Sequence, residues 1–380
     1  MNKIKYFCTR LYTMLYGKFH RIEKKIMFES FHGEQYSDNP RAISEKLHEM
    51  HPDFEIVWAL NSVSKEIKKI LPEYVRIINR KSINYYREFA TSFGYVTNEG
   101  IVPNIYKRKQ QFFVQTWHGD RSCKKVLYEA HGSDNSSYKL MDPYFTDICI
   151  SGSKFGESIY RKAFRFNGEI MSYGMPRNDK LIECSKSEVE EIRNSLDIPK
   201  DTKVLLYAPT FRDSGANICD YIINIEKTLD CLEMATKNKW VCLFRDHPTR
   251  KSIDFNTLKR AIQVSTYPDM RDLLLVADML ITDYSSSAGD FCITKKPIIH
   301  AAYDYREYIT LSREMRVNFY DTGFIIAESQ DDLESKIRDL KEEDYKASDD
   351  KAIEFFGINE TGQSSTLIAN RIAKEWRERS

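Results

Sequence analysis

Short runs rich in Val, Ile, Leu and Phe recur along this chain, each followed by a stretch with helical spacing. Runs at residues 56–60, 75–78, 95–97, 112–116, 148–150 and 170–173 form one series, and runs at 204–207, 241–244, 279–282 and 297–300 form a second. Helix-like stretches such as 40–50, 154–164, 186–196 and 223–236 lie between them. Strands that are apolar on successive residues are buried on both faces, and strands alternating with helices are joined by crossovers. The pattern restricts the fold to α/β, with parallel sheets covered by helices on both sides. The two series are separated at Gly174–Met175–Pro176, which predicts two Rossmann-like domains facing a central cleft. A length of 380 residues accommodates two such domains. The expected division is 1–26, 27–175, 176–345 and a helical segment 346–380 that packs back across the domains.

The first 26 residues differ from the rest. Lys3, Lys5, Arg10, Lys18, Arg21, Lys24 and Lys25 stand against a single acid, Glu23, whereas the whole chain carries only +1. Ile4, Phe7, Leu11, Leu15, Phe19, Ile22 and Ile26 recur every three or four residues, which predicts an amphipathic helix. A cationic helix of this kind can dock on an anionic membrane surface; its alternative is packing on the protein or on a partner subunit. No run approaches the roughly 20 apolar residues needed to span a bilayer. The neutral global charge predicts no nucleic-acid partner. The eight cysteines are scattered singly with no CxxC pair, which points to a reduced, cytosolic chain without disulfides or a zinc site.

In doubly wound sheets ligands sit beyond the carboxyl ends of the strands. After 112–116 comes Trp117–His118–Gly119, where an imidazole at a strand exit can accept a proton near neutrality or can simply hold the loop. After 204–207 comes Ala208–Pro209–Thr210–Phe211–Arg212–Asp213; the Arg212 fork suits a phosphate or carboxylate, or a surface pair with Asp213. After 241–244 comes Arg245–Asp246–His247–Pro248, a second strand-exit histidine. After 279–282 comes Asp283–Tyr284–Ser285–Ser286–Ser287, where serines open a helix and can cradle an anion or merely cap it. The Walker, GxGxxG, DxD and HExxH patterns are absent, so nothing calls for a nucleotide-fold fingerprint, a metal or another cofactor. Together these exits suggest a phosphate-rich ligand bridging two domains.

An ordered set of motifs resembles the CDP-glycerol glycerophosphotransferase family of teichoic-acid and capsule synthesis. The pieces are Phe28–Glu29–Ser30 with Gly33 and Tyr36–Ser37–Asp38–Asn39–Pro40, Gln115–Thr116–Trp117–His118–Gly119, Gly174–Met175–Pro176–Arg177–Asn178–Asp179, Ala208–Pro209–Thr210–Phe211–Arg212, His247–Pro248 and Ile281–Thr282–Asp283–Tyr284–Ser285–Ser286. The resemblance implies a GT-B-like fold, with 27–175 on the acceptor side and 176–345 binding a CDP-linked donor. It implies transfer of glycerol phosphate from CDP-glycerol to a lipid-linked or glycan hydroxyl, with CMP leaving. His118 and His247 would be catalytic; Arg212, Thr210, Asp283, Tyr284, Ser285, Ser286, Arg177 and Asn178 would hold the donor phosphates. A CDP-ribitol donor, or a nucleotide-sugar donor on the same fold, is the alternative, and self-association is left open. The implied location is the cytoplasmic face of the cell membrane, as a peripheral protein. Where the family usually continues Trp-His-Gly with Thr-Pro-Leu-Lys, this chain has Asp120–Arg121–Ser122–Cys123.

Overall fold

Thirteen parallel strands organise the computed structural model, which describes residues 3–100, 105–131, 145–210, 212, 222–246, 258–311 and 314–380. Among the described residues, β1 (Glu23–Glu29), β2 (Glu55–Leu60), β3 (Val75–Asn79), β4 (Ser92–Thr97), β5 (Phe112–Gln115), β6 (Ile148–Ile150) and β7 (Glu169–Met171) form one sheet, in the order β3-β2-β1-β4-β5-β6-β7. A second sheet contains β8 (Thr202–Ala208), β9 (Lys239–Phe244), β10 (Ala261–Gln263), β11 (Met279–Thr282), β12 (Ile298–Ala301) and β13 (Ile325–Ala327), in the order β10-β9-β8-β11-β12-β13. Each sheet starts in its middle, grows to one edge and then returns to the other side of its first strand. The topological switch points therefore lie between β1 and β4 and between β8 and β11.

Both faces of the first sheet are buried, which explains its continuous apolar runs. Ile26, Phe28, Ile56, Trp58, Phe112 and Val114 enter one core, while Met27, Val57, Ala59, Tyr95 and Phe113 enter another on the opposite face. The second sheet packs Leu205, Tyr207, Cys242, Phe244, Met279 and Ile281 against Leu229, Leu232, Leu333 and Ile337 from its helices. Burying a side chain of this size contributes about 1.5–3 kcal/mol. The seven cysteines among the described residues are unpaired.

The chain divides into two compact units. Unit 1 comprises Met1–Asp120, Leu127–Asp179 and Asn359–Ser380; unit 2 comprises Arg121–Val126 and Lys180–Ile358. This departs from the expected boundaries at 175 and 345, for identifiable reasons. Glu360 accepts hydrogen bonds from the Met175 amide at 3.0 Å and from Asn178 Nδ2 at 2.8 Å. Asp179 accepts the amides of Ser364 and Ser365 at 3.0 and 2.6 Å. The turn Pro176–Asn178 is thus tied into unit 1, and the final helix Ser364–Arg379 puts Ile368 and Ile372 into the same core as Ile43 and Leu47 of α2 (Asp38–Met50). The short segment 121–126 joins unit 2 because Lys124 bridges Met315 antiparallel and the Arg316 amide donates to the Cys123 carbonyl at 2.6 Å.

At the N-terminus the helix α1 (Lys3–Phe19) stops before the expected end at 26, because Glu23–Glu29 is the central strand β1. Ile26, read from spacing as a helix position, is fully buried on that strand. α1 sits on unit 1 through its small and polar side. Thr13 and Gly17 are buried, the Thr13 hydroxyl accepts the Tyr106 amide at 3.0 Å, and Arg87 donates to the Tyr12 hydroxyl at 3.0 Å.

Asp120, one of the residues that departs from the usual motif, is a buried joint of unit 1. Its carboxylate accepts the Ser151 and Ser153 hydroxyls at 2.6 and 2.8 Å and the Gly152 amide at 3.3 Å. A Cβ added at Gly156 would lie 1.7 Å from Asp120 Oδ1 and 2.6 Å from Ser151 Oγ. Gly156→Ala is therefore expected to lower stability by about 1–3 kcal/mol, read as a fall in the urea midpoint. An unchanged midpoint would show that the joint is not closed around Gly156.

Candidate active site

Register sets the exits of three neighbouring strands of unit 1 side by side. Glu29 of β1 is level with Thr97 of β4, and Thr97 is level with Gln115 of β5. Ser30–Phe31–His32–Gly33, Asn98–Glu99 and Trp117–His118–Gly119 consequently emerge together at the switch point, where such sheets hold ligands. Four of the ten non-glycine residues with positive φ among the described residues lie in or beside these segments. Phe31, His32, Asp38 and Trp117 have φ of 47°, 53°, 65° and 50°, a region that non-glycine residues enter at a cost of about 1–3 kcal/mol each. Surrounding groups hold these conformations. Asn61 donates from its amide to the Gly33 carbonyl at 2.7 Å and from Nδ2 to the His32 carbonyl at 2.9 Å. The Phe31 amide donates to Asn98 Oδ1 at 2.9 Å, the Trp117 amide to Gln115 Oε1 at 2.7 Å, and Asn39 Nδ2 to the Trp117 carbonyl at 3.0 Å.

His118 lies under Phe31, with ring centroids 5.2 Å apart, and its side chain is 31% exposed, so one edge reaches solvent. Its Nδ1 is 2.9 Å from the Asn98 carbonyl. A carbonyl only accepts, so Nδ1 carries a proton, and in the neutral ring the lone pair is at Nε2. Glu99 Oε1 stands 3.6 Å from Nδ1. On its other side Glu99 Oε2 is 3.7 Å from Nε2 of His32, which is half exposed and also faces Glu29 at 3.9 Å. The neighbouring Glu29 and Glu99 carboxylates hold the His32 imidazole above its ordinary range despite partial burial.

Unit 2 presents a different arrangement at the exits of β8, β11 and β12. Arg212 is 4% exposed and grips Asp304 with both sides of its fork, Nε to Oδ2 at 2.7 Å and an NH₂ group to Oδ1 at 2.9 Å. Its remaining nitrogen donates to the Thr210 carbonyl at 2.7 Å and stands 2.9 Å from Asp283 Oδ2. Asp283 accepts the Thr210 amide at 2.8 Å and the Thr210 hydroxyl. Burial pushes the Asp283 carboxyl up, but the Arg212 charge and the Thr210 hydrogen bonds outweigh it and hold the group below its ordinary range. Tyr284 is buried and donates to Asp304 at 2.9 Å. Beneath the turn, burial keeps His300 neutral, its range lowered to about 4, and its Nδ1 meets the Asp283 carbonyl. Only Ser285 and Ser286 of this turn are partly exposed, ahead of the short helix Ser287–Phe291.

Several of the residues expected at the site have partners inside the protein. Arg212 pairs with Asp283 and Asp304 in a buried frame beside Tyr284, whereas Thr210, Ser285 and Ser286 are partly exposed. Arg177 and Asn178 lie in unit 1 and serve its internal joints. Arg177 bonds Asp38 at 3.0 Å and Asn178 bonds Glu360, because the turn that carries them is closed onto α2 and the C-terminal segment. His247 lies outside the described residues. His32, Glu99, Asp304 and His300 were not anticipated. His32 had a signal: Phe31–His32–Gly33 repeats the aromatic-His-Gly order of Trp117–His118–Gly119. It is hidden when β1 is taken for helix.

The family model described as CDP-glycerol:poly(glycerophosphate) glycerophosphotransferase matches residues 11–374. A teichoic acid poly(glycerol phosphate) polymerase of Staphylococcus epidermidis is 31% identical over 93% of the chain, which spans only 51% of that longer relative. A similar polymerase of Bacillus subtilis is also about twice as long, the chain spanning 49% of it. A solved structure of the wall teichoic acid polymerase TagF, soaked with CDPG, superposes with a TM-score of 0.85 at 29% identity, covering 97% of this chain and 93% of that one.

Arg212→Ala would leave two buried carboxylates facing each other without their cation, so a loss of about 3–5 kcal/mol is expected in the denaturant midpoint. The sign with pH follows from Asp283. Its folded form takes up a proton less readily than the ordinary Asp value of 3.8, so its stabilisation is full at neutral pH and is lost as pH falls below about 4. A variant within 1 kcal/mol of the parent at pH 7 would contradict the buried frame.

Proposed function

The chain belongs to the CDP-glycerol:poly(glycerophosphate) glycerophosphotransferase family, and from that premise we propose that it transfers glycerol phosphate from CDP-glycerol to a hydroxyl of a lipid-linked or glycan acceptor in teichoic-acid or capsular polymer synthesis. The observation that carries this reading is the disposition of His118, whose Nδ1 proton is committed to the Asn98 carbonyl so that Nε2 can act as a base.

In the proposed step the acceptor oxygen forms a bond to the glycerol-bearing phosphorus. The bond from that phosphorus to the bridging oxygen breaks, and CMP leaves with its electron pair. The hydroxyl proton passes to His118 Nε2. A base of this kind contributes about 10²–10⁴-fold, and positioning with charge stabilisation contributes most of the remainder. The donor diphosphate is assigned to unit 2. There the Ser285 and Ser286 hydroxyls and the backbone that follows offer donors to an anion, with His247 assisting the departing CMP. Arg212, Thr210, Asp283 and Tyr284 act by holding the turn in shape, Arg177 by fixing Asn39, which bonds the Trp117 carbonyl, and Asn178 by its bond to Glu360. This division between an acceptor-side unit and a donor-side unit is GT-B-like. Residues 121–126, which belong to unit 2, follow His118 after two residues, so the base and the donor-side unit are joined by a very short covalent link.

The same reading places the enzyme on the anionic cytoplasmic leaflet through α1. Phe7, Leu11, Leu15 and Phe19 are 65%, 38%, 45% and 78% exposed and recur every four residues, so an apolar stripe points away from unit 1. Arg10, Lys18 and Arg21 are also exposed. No helix among the described residues is long and apolar enough to cross a membrane. A stripe with basic flanks matches the surface of a bilayer rather than its interior.

Incubation with CDP-glycerol, CDP-ribitol and a nucleotide sugar, each with lipid-linked acceptors, is expected to release CMP from CDP-glycerol. His118→Ala should lower that release by at least about 100-fold while donor binding stays near the parental value. Undiminished turnover in a folded His118→Ala protein would remove it as the base, and release of a nucleoside diphosphate instead of CMP would reject phosphotransfer. Replacing Phe7, Leu11, Leu15 and Phe19 together by Ser should abolish sedimentation with phosphatidylglycerol vesicles at low salt. Equal sedimentation of parent and variant would refute docking through α1.

A further inference from the structure

Three strand exits of unit 1 converge on a single carboxylate. Glu99 is fixed at both ends of its backbone: its amide donates to Thr97 Oγ1 at 3.2 Å, and its carbonyl accepts Gln115 Nε2 at 2.7 Å. The side chain is thereby held between two imidazoles, with Oε1 3.6 Å from His118 Nδ1 and Oε2 3.7 Å from His32 Nε2. His32 is kept in place by the left-handed turn Phe31–His32–Gly33 and by Asn61 on its carbonyl. We propose that Glu99 is a positioning residue for the base His118 and shares its charge with His32, so that the two histidines act as one coupled proton-handling unit. This rests on the assignment of His118 as the base.

The physical argument is electrostatic and geometric. Proton uptake at His118 Nε2 creates an imidazolium, and a carboxylate beside Nδ1 offsets that charge while favouring the orientation in which Nδ1 donates toward Asn98. His32 competes for the same carboxylate. The charged groups facing His32 are Glu29 at the end of β1, Glu99 after β4 and Arg80 after β3, the last paired with Glu29 at 2.9 Å. Two carboxylates outweigh one guanidinium there, consistent with an imidazole held above its ordinary range. A proton on His32 opposes a second positive charge at His118, so the pair titrates as a coupled system. The left-handed conformation of Phe31 and His32 sets the direction of both side chains at this rim.

The test uses the full chain with Glu99→Gln, which keeps size and shape, and His32→Gln as an independent variant. CMP release from CDP-glycerol is followed from pH 5.5 to 8.5, and the imidazole ring nitrogens of both histidines are titrated by NMR without substrate. Glu99→Gln is expected to lower kcat by about tenfold or more with donor KM within twofold, and to move the acid limb of the rate profile to lower pH. His32→Gln should move that limb to higher pH by about half a unit, the scale of a unit charge several ångströms away in a partly hydrated site. The His118 ring titration should shift in the same two directions in the absence of any donor. A His118 titration unchanged by both substitutions would overturn the coupling whatever the substrate proves to be. Failure of the parent protein to release CMP would count against the transferase reading alone, leaving the NMR shifts to decide the role of Glu99.

Discussion

In-register parallel pairing of β1, β4 and β5 is the constraint on which the candidate site depends. Because Glu29, Thr97 and Gln115 are level, the three segments that follow leave the sheet at one height and must share the space above it. The sheet core fixes that register: shifting one strand by a single residue would exchange the sets represented by Phe28 and Met27 between opposite cores. Hydrophobic packing deep in unit 1 therefore determines where an imidazole meets a carboxylate at its rim.

The two units use polar groups in opposite ways. In unit 2 the charges of Arg212, Asp283 and Asp304 are buried and spent on one another, which gives a stiff frame beneath a small hydroxyl-rich turn. In unit 1 the titratable groups His32, Glu99 and His118 remain partly hydrated at the rim. On the proposed assignment of the donor diphosphate to unit 2, such rigidity is an advantage, since donors already in place lose no orientation energy when the anion arrives. In the proposed reaction His118 changes its protonation state, which calls for access to solvent and a partner that responds to its charge.

The α/β class, the two strand series and most strand positions were legible in the sequence because strands buried on both faces leave uninterrupted apolar runs. β1 was not, because Ile22 and Ile26 continue the three-to-four spacing of the preceding helix, and spacing alone cannot show where a helix ends. Short edge strands such as Ala261–Gln263 and Ile325–Ala327 carry too few residues to show a pattern. His118 was legible from its position after a strand and before a glycine. The partners of Arg212 were not, since a guanidinium suited to phosphate is equally suited to two carboxylates, and Asp304 lies 92 residues away in sequence. The position of Glu99 beside two imidazoles was missed for a related reason: the rings come from other strands.

The chain's passage between units bears on how this protein can be taken apart. Asp120 is locked among Ser151, Gly152 and Ser153, while its neighbour Arg121 is buried against Gly289 and Asp290, with a 2.6 Å bond to the latter. Unit 1 also draws its last helix from the far end of the sequence. Neither unit is a continuous stretch of polypeptide, so no single cut yields two self-sufficient modules. A shortened version ending near Asp179 would lose Ile368 and Ile372 from the core beneath α2. Exchanging unit 1 with that of a relative would require moving its first, middle and last segments together.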